Sequence, residues 1–383
     1  MSHHLIWAEI DLAAIAHNTR ELRRITHPNA KLLVAVKADG YGHGALQVAR
    51  TALANGADAL GVARIEEGIA LRRAGIREPI LIFGYTDAAR AEQLIAHDLM
   101  PSLFSLDSAR AMASAAVALS AQISVHIKID TGMGRLGLPC DALRLDGAGR
   151  AADEIMQMAQ LKGLRFAGIF THFATSDDAD KHYAQLQLAR FRKILTQLKS
   201  AGLAIPLRHA ANSGAIIDMP ETHLDMVRAG ISVYGLYPSD EMDRARIDLR
   251  PALTLKAKIV HLKRVPPGTK ISYGCTYQTS TVADIATIPA GYADGFNRRL
   301  SNQGAALVGG QRVPIVGRVC MDLCMIDVSK VPKVKMGDEA VLIGHQGEAV
   351  ITADEVAARL GTINYEVVSA LTARVPRVYR KPQ

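Results

Sequence analysis

The sequence predicts an α/β chain: a (β/α)8 barrel followed by a mostly β domain. Two observations carry this. Up to residue 238, short apolar runs alternate with amphipathic stretches, the pattern of strands buried beneath helices. Beyond that point the period shortens to two and turn signals crowd together. A length of 383 residues, 49% of them hydrophobic, suits two domains, set here at 1–238 and 239–383.

The expected barrel strands are 32–36, 59–63, 80–83, 101–106, 123–129, 166–170, 207–210 and 226–228. Helical spacing shows between them, as in Tyr183, Phe191, Ile194, Leu195 and Leu198. A doubly wound open sheet fits less well, because no G-x-G-x-x-G follows the first strand. Residues 239–246 are charged and read as a linker. Leu253, Leu255, Ala257 and Ile259 then alternate with polar residues as in a half-buried antiparallel strand. Thr352, three residues before Glu355, predicts a capped helix over 352–360.

Composition excludes several roles. The net charge is +8, but the basic residues are scattered and aromatics make up 5%, so no nucleic-acid surface is expected. The spacing of Cys140, Cys275, Cys320 and Cys324 fits no metal site and demands no disulfide, which points to a reducing cytoplasm. The start lacks a basic region followed by a long apolar one, and charges interrupt every apolar run, so neither export nor membrane insertion is expected.

Chemistry-bearing residues fall where the strands end, which is where barrels keep their active sites. Lys37 closes the first strand, and a desolvated lysine amine at such a rim can condense with an aldehyde. Tyr41 and three glycines follow. Lys128, Asp130 and Arg135 surround the fifth exit, His172 the sixth, Ser213-Gly214 the seventh and Arg228-Ala-Gly230-Ile231 the eighth. Loops after the last two strands of such barrels commonly cradle phosphate. A Schiff-base lysine together with a phosphate site suggests pyridoxal 5'-phosphate (PLP). Taken singly, Arg228 reads as a salt-bridge partner, His172 as a core histidine and Ser213 as a helix cap. Their joint occurrence at successive exits favours a site.

The segments Ala35-Val-Lys37-Ala-Asp-Gly-Tyr41-Gly-His-Gly44, Lys128-Ile-Asp130-Thr-Gly-Met-Gly-Arg135, Thr171-His172-Phe-Ala-Thr, His209-Ala-Ala-Asn-Ser213 and Met226-Val-Arg228-Ala-Gly-Ile231 resemble those of the alanine racemases. So do Ile271-Ser-Tyr273-Gly, Gly291-Tyr292-Ala-Asp-Gly295, Gly317-Arg-Val-Cys-Met321-Asp322 and Ile363-Asn-Tyr365-Glu366. The resemblance implies a PLP-dependent homodimer that interconverts L- and D-alanine, for peptidoglycan or for alanine catabolism. Lys37 would hold PLP and act as one base. Tyr41, Ser213, Gly230, Ile231 and Tyr365 would bind its phosphate, with Arg228 facing the ring nitrogen and His172 linking Arg228 to the second base. That base would be Tyr273 from the partner subunit, which would also bring Met321. Arg135 would pair with the substrate carboxylate, supported by Lys128, while Tyr292 narrows the entrance and Asp322 is a further supporting residue. Some members carry a carbamylated lysine at the position of Lys128. Racemisation needs a base on each face of a planar intermediate, which a lysine and a tyrosine from different chains would satisfy. A decarboxylase of basic amino acids, a racemase of broad specificity and a non-catalytic PLP carrier are the alternatives.

Overall fold

A computed structural model of the chain describes residues 3–145 and 150–380. It contains two compact units: one of Ile15–Gly40 and Ala45–Arg250, the other of Met1–Ala14, Tyr41–Gly44 and Pro251–Gln383.

In the first unit, β2 (Lys31–Ala35), β3 (Ala59–Val62), β4 (Ile80–Ile82), β5 (Met100–Leu103), β6 (Ile123–Asp130), β8 (Leu164–Phe170), β9 (Leu207–His209) and β10 (Met226–Ala229) are all parallel. β10 returns to β2, closing the barrel, and a short β7 (Leu138–Pro139) pairs outside the ring with β6. All eight expected strands are present in the expected order. Helices α1 (Leu12–Ile25), α2 (Ala45–Leu53), α3 (Ile65–Arg73), α4 (Ala91–Ala96), α5 (Leu106–Ala118), α6 (Ala151–Ala159), α7 (His182–Ser200) and α8 (Ser213–Asp218) punctuate the strands.

Leu33, Ala59, Leu81 and Met226 pack together as one apolar cluster, with Phe83 and Met100 against it. Gly61 is required there, since a Cβ on it would meet the Phe83 ring at 2.3 Å. Gly168 plays the same part for His126, whose Nδ1 lies 2.3 Å from where that Cβ would be.

The second unit is built on a sheet ordered β17-β16-β19-β11-β1-β21. Its strands are β1 (Ile6–Asp11), β11 (Leu253–Lys258), β16 (Ala305–Val308), β17 (Gln311–Pro314), β19 (Glu339–Gln346) and β21 (Arg377–Arg380), with β20 (Ala349–Ile351) pairing β19. A three-stranded sheet of β12 (His261–Val265), β15 (Ala283–Ile288) and β18 (Cys324–Asp327) and a hairpin of β13 (Lys270–Ile271) and β14 (Tyr277–Gln278) complete it. Burial in β11 alternates residue by residue, as its sequence implied. Thr352 caps α9 (Ala353–Leu360), accepting from the Glu355 N–H at 2.9 Å, and α10 (Asn364–Ser369) follows.

The units depart from a division at 238/239. β1 runs antiparallel to β11 and parallel to β21, so the first strand belongs with the late residues. The charged stretch after Pro238 is no free linker either. The Ala179 N–H donates to Glu241, Arg24 donates to the Arg246 carbonyl, and Asn18 exchanges two hydrogen bonds with the Arg250 backbone. Side chains and backbone alike tie it to the barrel, since Arg246 also donates to the Ile217 carbonyl. Among the described residues, no helix is long and apolar enough to cross a membrane.

Candidate active site

The C-terminal rim of the barrel gathers the charged residues expected there. Lys37 stands one residue beyond β2, and the five residues before it, 32–36, are all buried. Burial pulls its amine below the ordinary lysine range; Arg135 adds to this and Glu67 opposes it. The chain then turns left-handed through Ala38, Asp39, Gly40 and Tyr41, with φ between 51° and 61°. Such a run is costly for residues with a Cβ.

Across the ring, Lys128 on β6 is buried, with its ammonium 5.6 Å from the Phe170 ring centre. Burial, then Arg135, Arg228 and Lys37, bring its pKa to about 8, with Asp130 opposing. Asp130 organises the loop that carries Arg135. Its carboxylate accepts from the N–H groups of Gly132, Met133 and Gly134 at 2.9–3.1 Å. From α7, the Tyr183 hydroxyl and Arg190 donate to the carbonyls of Gly132 and Thr131. Arg135 itself is exposed at the loop's end.

Arg228 on β10 is buried and held by four partners. It donates to the carbonyls of Thr171 and Ala210, to His209 Nδ1 at 2.9 Å and to His172 Nδ1 at 3.3 Å. Burial without a carboxylate among these partners lowers its pKa. Because guanidinium only donates, His209 must accept at Nδ1 and carry its proton on Nε2. That proton points at His126 Nδ1, 2.9 Å away, which puts the His126 proton on its own Nε2. Burial, then Arg228, keeps both imidazoles neutral: His126 falls to about 3 and His209 well below the usual histidine value. Phe170 stacks flat on His209 at 4.8 Å. Burial and the surrounding cations likewise hold His172 neutral.

The last two exits meet at Ser213. Its Oγ accepts from the Gly230 N–H at 2.8 Å, so the hydroxyl proton points elsewhere. Asn212 caps α8 through the Ala215 N–H, steadied by the Ser176 hydroxyl at 2.7 Å. Ile231 is fully buried behind this corner.

The remaining expected residues lie in the other unit. The Tyr41 and Tyr365 rings face each other at 6.2 Å. Tyr273 sits 71% exposed in a loop strained at Ser272 and Cys275, both with positive φ, while Gly274 between them takes the same region freely. The Ser272 hydroxyl donates to the Arg318 carbonyl at 2.7 Å. The N–H groups of Tyr292 and Ala293 donate to the carbonyls of Cys320 and Met321, so Tyr273, Tyr292 and Met321 share a neighbourhood. Gly291 permits this approach, since a Cβ there would lie 2.1 Å from the Met321 carbonyl oxygen. Asp322 pairs with Arg374 at 2.7 Å, which also approaches the buried Asp294 at 3.5 Å. Sequence reasoning missed Glu67 and His126. For His126 a signal existed: one imidazole inside an otherwise apolar strand.

Known proteins match the chain along nearly its whole length. A model of the alanine racemase N-terminal domain covers residues 10–238, and one of the C-terminal domain covers 252–379. The alanine racemase of Desulfosudis oleivorans is 51% identical over 97% of this chain and 96% of its own.

The chain belongs to the alanine racemase family.

A solved alanine racemase structure from Clostridium difficile superposes with a TM-score of 0.93 at 40% identity, covering 99% of this chain and 97% of that one. A histidine racemase from Leuconostoc mesenteroides shares the fold at a TM-score of 0.89 and 28% identity, covering 100% and 99%. The alanine racemase fold therefore hosts more than one amino acid, and substrate choice rests on side chains rather than on architecture.

Proposed function

We propose that this chain interconverts L- and D-alanine as a cytoplasmic homodimer that binds PLP, with Lys37 and the Tyr273 of a second subunit as its two bases. The supporting observation is the placement of Lys37. It is an amine of lowered pKa on a rigid strand exit, in a rim carrying Lys128, Arg135, His172 and Arg228.

The donors present fit the cofactor. The Lys37 amine suits its aldehyde, while the Ser213 hydroxyl and the backbone of Gly230 and Ile231 suit its phosphate, with Tyr41 and Tyr365 as further phosphate ligands. Arg228 can only donate, so it suits a ring nitrogen that accepts. Bound PLP supplies the electron sink that makes the α-hydrogen of alanine acidic.

The protein's own groups do the rest. Arg135 holds the substrate carboxylate. One base takes the α-hydrogen as a proton and the other returns one to the opposite face, Lys37 through Nζ and Tyr273 through Oη. His172 is neutral and bonded to Arg228, and in this reading it passes that cation's influence to the tyrosine. Tyr292 and Met321 wall the entrance. Exposed Tyr273, Met321, Leu323 and Ile363 in one unit are the sort of apolar surface that a subunit interface covers. The D-alanine would serve peptidoglycan, or the reaction would run toward alanine catabolism.

Solvent deuterium should enter the α-position of L-alanine while the D-enantiomer accumulates. Lysine, ornithine, serine and histidine, tried side by side, should exchange far more slowly. Equal rates with histidine would favour a broader racemase, the second reading suggested by the histidine-racemase neighbour.

Lys128 gives a pH-dependent expectation. With a pKa of about 8, its neutral fraction grows as pH rises through that value, and only the neutral amine adds carbon dioxide, losing a proton to form a carbamate. Isotopically labelled bicarbonate should therefore give a carbamate resonance that strengthens with pH across that range and is lost in Lys128→Ala. A signal that weakens with rising pH would rule this out. Carbamylation would turn a cation beside Arg135 into an anion, a partner rather than a repeller.

A further inference from the structure

Glu67, which opposes the loss of the Lys37 proton, is also bonded to the backbone immediately after that lysine. It is the third residue of α3. One carboxylate oxygen, Oε2, accepts from the N–H groups of Ala63 and Arg64 at 2.7 and 3.0 Å, closing the start of its own helix. The other, Oε1, reaches across 29 residues of sequence to the Ala38 N–H at 2.7 Å. A helix cap needs only the first of these contacts.

We infer that Glu67 is a positioning residue for Lys37: its carboxylate clamps the left-handed turn that follows β2 to the start of α3, and so aims the lysine amine into the barrel rim. The inference rests on Lys37 being the cofactor lysine. The turn has reason to need a clamp. Ala38, Asp39 and Tyr41 all hold positive φ without being glycine. Asp39 secures the far side by accepting from the Ala45 N–H at 2.9 Å, and the Gly40 N–H closes back on the Val36 carbonyl at 2.8 Å. Glu67 secures the near side, one peptide from Lys37.

Glu67 also has an electrostatic part. Arg135 and Glu67 act on Lys37, while Lys128 and His172 feel its charge. The Glu67 carboxylate opposes the loss of the Lys37 proton. A glutamine cannot substitute. Both carboxylate oxygens face N–H donors, so an amide would turn its own N–H groups against one of them.

Glu66→Gln and Glu67→Gln separate this role from simple helix capping. Both remove one negative charge from the same helical turn, but Glu66 is exposed and pairs with Arg90 at 2.9 Å. The readouts are kcat and KM for alanine, and the pH profile of Lys37 acetylation in the full-length protein stripped of cofactor, followed by peptide mass mapping. Glu67→Gln should lower kcat about tenfold or more with a smaller change in KM, as expected of a misaimed catalytic group. Its acetylation profile should move to lower pH by roughly half a unit or more, because an ammonium loses its nearby anion. Glu66→Gln should leave both near wild type.

If Glu67→Gln does not fold, Glu67→Asp replaces it. That variant keeps the charge but not the reach to Ala38, so kcat should fall while the acetylation profile stays. Overlapping behaviour of the position-67 and position-66 variants would overturn the inference. A Lys37→Ala protein that still racemises alanine would instead overturn the assignment of Lys37.

Discussion

Mixing two inactive proteins, Lys37→Ala and Tyr273→Phe, should restore racemase activity. Each substitution alone removes one of the two proton-transfer groups and should cost on the order of a thousandfold in kcat. In a dimer whose sites take Lys37 from one chain and Tyr273 from the other, a mixed dimer contains one doubly defective site and one intact site. Random reassortment makes about half the dimers mixed, so activity should recover to roughly a quarter of wild type. The measurement is alanine racemisation after co-expression or after denaturation and refolding together, with heterodimers confirmed by differential tags. Mixed dimers that form and stay inactive would refute the shared site. Exposure already hints at the outcome. Tyr273 is 71% exposed in a loop with two strained residues, Ser272 and Cys275, and such strain is kept where a side chain must be presented outward.

Arg228→Met should cost about 4 kcal/mol of stability and abolish activity. The substitution strands the carbonyls of Thr171 and Ala210 and His209 Nδ1 in a buried setting. Each stranded group costs roughly 1–3 kcal/mol. Removal of the buried cation itself offsets part of that total. Arg228→Lys keeps the charge but cannot reproduce the planar fork that serves separate acceptors, so it should fall between the two proteins in stability. Urea denaturation of both variants measures this. A methionine variant within about 1 kcal/mol of wild type would show that the network relaxes around the gap. The imidazole tautomers respond as well. Once Arg228 ceases to donate, His209 is free to move its proton to Nδ1, and the fixed polarity from Arg228 to His126 disappears.

Much of this was legible in the sequence because barrel strands buried on both faces leave continuous apolar runs, and their exits are marked by abrupt polarity. Lys37, Lys128, His172, Ser213 and Arg228 all stood at such edges, and the structure places each at the end of its strand or just beyond. Glu67 was hidden for a physical reason. It reaches Ala38 from the third position of a helix whose first flanking residue is Arg64, not a serine, threonine or aspartate, so no cap pattern announced it. The strand at Ile6–Asp11 was hidden because its partners, Leu253–Lys258 and Arg377–Arg380, lie hundreds of residues away. Local periodicity carries no trace of such a pairing. The same distance moved the unit boundary: a linear cut after residue 238 cannot express a sheet in which the chain's first strand lies between two late ones.

The inner place of that first strand bears on how the protein is made. β1 lies between β11 and β21, so the second unit's sheet cannot close until residues 377–380 have left the ribosome. The barrel, contained within residues 15–250, has every strand it needs well before then. During synthesis the strand Ile6–Asp11, with Ala8 and Ile10 buried on one face and Trp7 on the other in the finished protein, must therefore wait exposed while a complete barrel forms after it. Newly made chains should be most vulnerable to aggregation and to chaperone capture in that interval, and least so once the last strand docks.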